Sequence, residues 1–333
     1  MFNNLLVIGT GSIGKRHIEN FQKYFKNIDI VDTRVDRLNE TQRKFKIRNC
    51  FSNYKKALAS EKYKAAIIST PPNSHLSIAT ECEKKNVSVF IEKPLGMNQS
   101  GWKSLASKFK QKKLINYIGF CHRHINFTKE VKKIIDSKQI GKICGANIRW
   151  GSFLPDWHPW EDYRSYYMAK KNQGGGALYD ECHGIDLLRY FLGEISEVSA
   201  LVGNTSQLKI SSDDSAFLNL KMKKGFYVQI NFDLYSRYPR VSFEIIGSEG
   251  TIIWDRVECC IKVFTSKSKK WKIKQFSKRD LMNMYPAQAN YFYKLLKKNK
   301  IPVVDIEDGL KTQKVIDASF LSSNRRKLIK VNI

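Results

Sequence analysis

The sequence predicts an α/β domain built on a doubly wound parallel sheet, followed by an α+β domain with an open, mostly antiparallel sheet. Three observations carry that prediction. Strand-like and helix-like stretches alternate over residues 1–120, a glycine-spaced turn joins the first strand to the first helix, and from about residue 195 period-two alternation dominates.

In order, Leu5–Ile8 reads as a buried strand, and Ser12 to Phe25 as a helix with Ile13, Phe21, Tyr24 and Phe25 turned inward. Ile28–Val31 is a second strand and Val35 to Lys46 a second helix. Ala65–Ile68, Val87–Ile91 and Ile115–Gly119 continue the strand series, with helical segments between them. Beyond residue 120, a helix over Asn126 to Ser137 leads into Ile143–Trp150. A long aromatic loop and a single helix over 175–192 follow. Strands are then expected at Val198–Val202, Ser215–Met222, Phe226–Leu234, Val241–Ile246, Thr251–Trp254, Cys259–Phe264 and Trp271–Phe276. Ala287–Lys297 and Ile306–Ser322 read as closing helices. The domain division is therefore 1–120 and 121–333, with the helices over 287–322 able to pack back on the first domain.

An apolar share of 42% and an aromatic share of 12% exclude a disordered or fibrous chain. Met1–Gly9 carries no basic n-region or cleavage pattern, and no apolar run reaches the roughly 20 residues of a spanning helix, so a cytoplasmic location is expected. The seven cysteines are scattered and include no Cys-x-x-Cys pair, as reduced thiols are; no metal site is expected. Cys121, His122 and His124 could mimic a metal cluster, but no fourth ligand lies nearby at metal spacing. The net charge of +27 is shared almost evenly between residues 1–120 and the remainder. That spread reads as a lysine-rich surface that also attracts anionic ligands, and nucleic acid and membrane are not expected partners.

Gly9-Thr-Gly11-Ser-Ile-Gly14 follows a strand and opens a helix. Its glycines allow a tight turn, the approach of a pyrophosphate to the backbone, and close helix packing. The helix N-terminus then offers free N–H groups to phosphate. Asp32 closes the second strand, where a carboxylate takes both ribose hydroxyls and repels a 2′-phosphate. NAD is therefore favoured, and Arg34 keeps NADP possible.

Further landmarks are Ser69-Thr-Pro-Pro-Asn-Ser-His75, Glu92-Lys-Pro94 and Gly174-Gly-Gly-Ala-Leu-Tyr-Asp180-Glu-Cys-His183-Gly-Ile-Asp186. Phe243-Glu-Ile-Ile-Gly-Ser-Glu-Gly-Thr251 and Ile306-Glu-Asp-Gly-Leu310 complete the set. Together with the glycine turn, these resemble the glucose–fructose oxidoreductase / inositol 2-dehydrogenase (Gfo/Idh/MocA) family over nearly the whole chain, and members from surface-polysaccharide clusters in particular. The resemblance implies a Rossmann domain, a second domain whose open sheet makes dimer or tetramer contacts, and NAD(P)-dependent redox chemistry at a carbinol carbon of a sugar, nucleotide sugar or cyclitol. It implies a catalytic set of Lys93, Asp180 and His183, with His183 as general acid/base. For the cofactor it implies Gly9, Gly11, Ser12, Ile13 and Gly14, then Asp32, Thr33 and Arg34. Thr70, Pro71, Asn73, His75, Glu92 and Lys93 complete that set.

The chemistry of the residues agrees. Removing a hydroxyl proton as hydride leaves carbon suits an imidazole, and an ammonium steadies the developing alkoxide. At helical spacing Asp180 and His183 share one face, opposite Leu178, Cys182, Ile185, Leu188 and Leu192. Family members often place the histidine four residues after the aspartate; here the gap is three, which leaves Asp180 and Asp186 both open as its partner. The segment Gly151–Tyr167 mixes rings with polar groups, as sugar sites do. Trp157, His158, Trp160, Tyr163 and Arg164 are therefore expected to touch substrate, and the resemblance adds Arg123. Two other readings fit the same residues: an NAD-dependent glycosidase with transient internal redox, and a non-catalytic NAD-binding regulator.

Overall fold

A computed structural model describes residues 1–333 and divides into two compact units. The first comprises Met1–Cys121 with Tyr285–Leu310, the second His122–Met284 with Lys311–Ile333.

In the first unit, β1 (Phe2–Ile8), α1 (Ser12–Phe21), β2 (Phe25–Val31), α2 (Val35–Lys44), β3 (Cys50–Phe51) and α3 (Tyr54–Ser60) form one half of the sheet. β4 (Ala65–Ile68), α4 (His75–Lys84), β5 (Ser88–Ile91), α5 (Trp102–Gln111) and β6 (Asn116–Ile118) form the other. The six strands are parallel in the order β3-β2-β1-β4-β5-β6, so the chain reverses its direction of growth between β1 and β4. Leu5, Leu6, Val7 and Ile8 are all buried, as a central strand covered on both faces must be.

The first helix is shorter than its sequence implies. Phe21, Tyr24 and Phe25 keep helical spacing, yet α1 ends at Phe21 and Phe25 opens β2, paired with Phe2. A ladder position beside β1 buries Phe25 as fully as a helical turn would and adds backbone hydrogen bonds. Within this unit Phe21, Phe90, Tyr117 and Phe292 form a cluster of ring contacts, which accounts for the place of the 285–310 segment here.

Asp29, on β2, is fully buried and accepts from Arg48 Nη2 at 2.6 Å and from the Tyr63 hydroxyl at 2.7 Å. Burial pushes its carboxyl up, but the Arg48 and Tyr63 hydrogen bonds and the Arg48 charge outweigh that, leaving it below the usual range. A depressed folded-state pKa contributes stability above the unfolded value, lost as pH falls through the folded one. The urea-midpoint difference between wild type and Asp29→Asn is therefore expected to be constant from about pH 5 to 8 and to shrink below about pH 4. A difference that grows on acidification would contradict this.

The second unit contains α6 (Asn126–Asp136), β7 (Ile143–Phe153), α7 (Ala177–Asp180), α8 (His183–Leu192), β8 (Ile195–Gly203), β9 (Ser215–Met222) and β10 (Tyr227–Asp233). It continues through β11 (Tyr235–Gly247), β12 (Gly250–Asp255), β13 (Cys260–Thr265), β14 (Trp271–Gln275) and α9 (Lys278–Met282). α10 (Met284–Lys298) falls almost wholly in the first unit. α11 (Ile306–Arg325) passes from the first to the second, and β15 (Ile329–Lys330) ends the chain.

The nine strands run β14-β13-β12-β11-β7-β10-β9-β8-β15, antiparallel except for the parallel β7–β10 pair. Burial alternates along β9 and β10, so one face is packed and the other open. Leu201, 71% exposed, lies directly across from Phe217, 42% exposed, on that open face.

Candidate active site

The residues expected to hold the dinucleotide belong to the first unit. Gly9 sits at φ +92°, and a Cβ on Gly14 would lie 2.0 Å from the Gly9 carbonyl oxygen, so the turn cannot be built with side chains at either position. A Cβ on Gly11 would meet only the Arg37 guanidinium, at 3.6 Å, which leaves open the side a pyrophosphate would approach. No side chain caps α1 and its first turn holds no acidic residue, so its leading N–H groups are suited to an anion. Asp32 Oδ2 accepts from Thr10 N–H at 2.7 Å and Thr10 Oγ–H at 2.9 Å, and Oδ1 from Arg34 N–H at 2.9 Å. That carboxylate is thereby locked across the glycine turn. The Arg34 guanidinium is exposed and paired with Asp36. Ser12, Thr33 and Asn73 are exposed, with Ile13, Thr70 and Pro71 half-buried around them in sequence. These residues fit a dinucleotide.

Glu92 and Lys93 follow β5, and the Lys93–Pro94 peptide is cis. Lys93 is half-buried. His75 is fully buried, with Nε2 2.8 Å from the Thr70 carbonyl oxygen and Nδ1 3.1 Å from that of Pro94. It braces one loop of the turn region against the other.

Asp180 and His183 belong to the second unit, where the local structure corrects the single helix expected over 175–192. α7 stops at Asp180, and α8 begins at His183 after a turn in which Gly184 N–H donates to the Glu181 carbonyl at 2.9 Å. The apolar stripe made the stretch look continuous, because each short helix buries its own share of it. At the start of α7, Asp213 Oδ2 accepts Leu178 N–H at 2.9 Å. Burial pushes the Asp213 carboxyl up to about 6. Asp180 is buried and accepts from the Tyr167 hydroxyl at 2.8 Å. His183 is buried, its ring 4.4 Å from that of His122 and stacked with Trp150 at 6.1 Å. A Cβ on Gly184 would lie 2.6 Å from Phe232, so glycine there is what lets the α8 N-terminus press onto the sheet.

Asp186 has a different occupation. Arg123 grips it twice, at 2.8 and 2.6 Å, and the Arg123 guanidinium also lies 5.4 Å from the Tyr190 ring. Both guanidinium and carboxylate are therefore held in a buried ion pair. In the aromatic segment, Trp157 donates to Ser152 Oγ at 2.8 Å, and the His158 ring meets those of Trp160 and Tyr166 at 5.2 and 4.9 Å. Tyr163 accepts Lys209 N–H at 3.4 Å, Arg164 is exposed and paired with Asp162, and Trp160 is 77% exposed. Sequence reasoning passed over His17, Tyr167 and Asp213. The one available signal was His17, a polar residue on the inward stripe of α1 shared with Gly14, Ile18 and Phe21.

Residues 3–120 match the model of the oxidoreductase family with an NAD-binding Rossmann fold, and residues 128–253 match the C-terminal domain model of the same family. The chain belongs to the Gfo/Idh/MocA oxidoreductases. Myo-inositol 2-dehydrogenase of Thermotoga maritima is 27% identical over 316 residues, covering 91% of each chain. Two solved structures share the fold. Levoglucosan dehydrogenase with NADH and levoglucosan superposes at TM-score 0.88 and 19% identity over 99% of this chain and 100% of that one. The WlbA dehydrogenase from Bordetella pertussis, with NADH and UDP-GlcNAcA, gives 0.86 and 19% over 100% and 98%. The Gfo/Idh/MocA chain described here is thus an NAD-binding oxidoreductase, and none of its helices is long and apolar enough to cross a membrane.

Proposed function

We propose that the protein is an NAD-dependent dehydrogenase of a polyhydroxylated ring — a sugar, nucleotide sugar or cyclitol — acting at a carbinol carbon. The observation that carries this reading is the hydrogen bond that buried Asp180 accepts from Tyr167, three residues ahead of His183 at the start of α8, in a chain with a complete glycine turn and locked Asp32. Bound NAD would supply the hydride acceptor for oxidation at the carbinol carbon and, as NADH, the hydride donor for reduction. His183 removes the hydroxyl proton in oxidation and gives it back in reduction. The Lys93 ammonium stabilises charge developing on the oxygen. Asp180 orients the acid–base group, and Tyr167 fixes Asp180. Trp157, His158, Trp160, Tyr163 and Arg164 supply ring faces and polar groups for the substrate, and Arg123 supports the site through Asp186.

The exposed Leu201–Phe217 pair supports assembly of identical subunits through the open sheet face, since apolar side chains there gain from being covered. NAD is preferred over NADP in this reading, because the oriented Asp32 carboxylate repels a 2′-phosphate.

The test is absorbance at 340 nm while the purified protein is incubated with NAD and, one at a time, inositols, free hexoses, levoglucosan and nucleotide sugars. Net NADH from at least one compound is expected. Bound cofactor with no net NADH from any, and release of free sugar from a glycoside, would replace the dehydrogenase with a glycosidase using internal redox. Neither outcome with intact NADH binding would leave a regulator.

A further inference from the structure

The geometry points to His17 as a positioning residue for Lys93, acting through Glu92. This rests on the catalytic reading of Lys93 given above and names a residue which that reading does not include.

His17 lies on α1, one turn after the last glycine of the phosphate turn, and is only 3% exposed. Its ring stands edge-on to Phe90 at 4.8 Å and 6.1 Å from Phe21, surroundings that would suit an apolar side chain better. What the imidazole gains there is Glu92: Nε2 lies 2.7 Å from Oε1. The second carboxylate oxygen, Oε2, accepts the Lys93 backbone N–H at 3.2 Å. The carboxylate lies against Gly119, where a Cβ would come within 3.1 Å of Oε2, so glycine there leaves it space. On the other side of Lys93, the Pro94 carbonyl faces the buried His75 ring at 3.1 Å.

Lys93 therefore sits in a loop held at both neighbouring residues by buried histidines. The His17 contact is the one that ties this loop to the helix bearing the phosphate turn. Without it, Glu92 keeps a buried oxygen lacking that donor, and its grip on the Lys93 backbone loosens. Misplacing a catalytic group by about 1 Å costs on the order of 10²-fold in rate, so a backbone tether of this kind matters to turnover.

The experiment compares wild type, His17→Phe and His17→Gln as full chains, by three readouts. The first is the rate at which an amine-acylating ester labels each lysine, resolved by mass spectrometry. The second is NADH affinity by fluorescence titration. The third is kcat and KM on whichever compound reduces NAD. Phe preserves the ring packing and removes the donor, whereas Gln restores a donor. Labelling of Lys93 in His17→Phe is expected to rise by at least about 3-fold relative to the other lysines. NADH affinity should stay within about 3-fold and kcat should fall by about 10-fold or more with KM little changed, as for displacement of a reacting group. His17→Gln should return most of both effects.

Unchanged Lys93 labelling in His17→Phe, a uniform rise over all lysines, or no recovery with Gln would each overturn the proposal. Lys93→Ala keeps this separate from the catalytic reading. If that variant turned over normally, Lys93 would lose its catalytic role while the labelling result still reported on the tether. If it were inactive and His17→Phe labelled and turned over like wild type, only the tether would be wrong.

Discussion

Lys93→Ala and His183→Ala are each expected to lower turnover by about 10²- to 10⁴-fold, the range in which a general acid/base or an oxyanion-stabilising group contributes. NADH affinity should stay within a few-fold, because the phosphate turn, the α1 N-terminus and Asp32 are untouched by either change. The two losses have different characters. On the proposed mechanism the His183 variant lacks its general base, so activity should recover partly at high pH, where hydroxide replaces it. Without Lys93 the alkoxide loses its cation, and pH gives no such rescue. Rates measured from pH 6 to 10 alongside fluorescence titration with NADH distinguish the two. Wild-type turnover in either variant would remove that residue from the mechanism.

Asp186→Ala is expected to be a stability variant, in contrast to Asp180→Asn. The Asp186 and Arg123 side chains are 1% and 10% exposed, and Arg189 Nη1 lies 3.9 Å from the same carboxylate. Arg189 has other partners in Glu194 and Thr312, whereas Arg123 loses the carboxylate it grips twice. Breaking a buried pair from one side costs about 3–5 kcal/mol, through the charge left behind. For a unit of this size that corresponds to a fall of roughly 6–20 °C in Tm. Asp180→Asn keeps an acceptor for Tyr167, so its Tm should change little while kcat falls. Differential scanning fluorimetry with a kinetic assay decides the matter. An Asp186→Ala protein as stable as wild type, with turnover lost, would show that Asp186 and not Asp180 serves His183.

That pair of variants bears on a choice the sequence left open. Asp180 and Asp186 both lie within three residues of His183, and spacing alone treats them alike. Arg123, 63 positions from Asp186 in the chain, distinguishes them, because a bidentate guanidinium claims one carboxylate and leaves the other to Tyr167. Long-range pairing of this kind has no local periodicity to reveal it. His17 is a parallel case. Its helical position was legible, but its partner Glu92 is 75 residues away, and only the packing of α1 against β5 brings the two together.

Elements whose physics is local were legible in the amino-acid order alone. The glycine turn was readable because its dihedral and its close approach to Gly9 admit no side chain. β1 was readable because a strand covered on both faces must be apolar throughout. The open sheet was readable because a half-covered strand must alternate, as β9 and β10 do. Tertiary structure decided where competing local solutions were nearly equal. Phe25 could satisfy its burial in α1 or in β2, and pairing with Phe2 settled it. The stretch from Ala177 to Leu192 could run as one helix, but it breaks between Asp180 and His183, with Asp213 accepting Leu178 N–H ahead of the break and Gly184 close against Phe232 after it. Burial of apolar surface is indifferent to which of these alternatives supplies it. Hydrogen bonds and close contacts from distant residues are directional, and they select one.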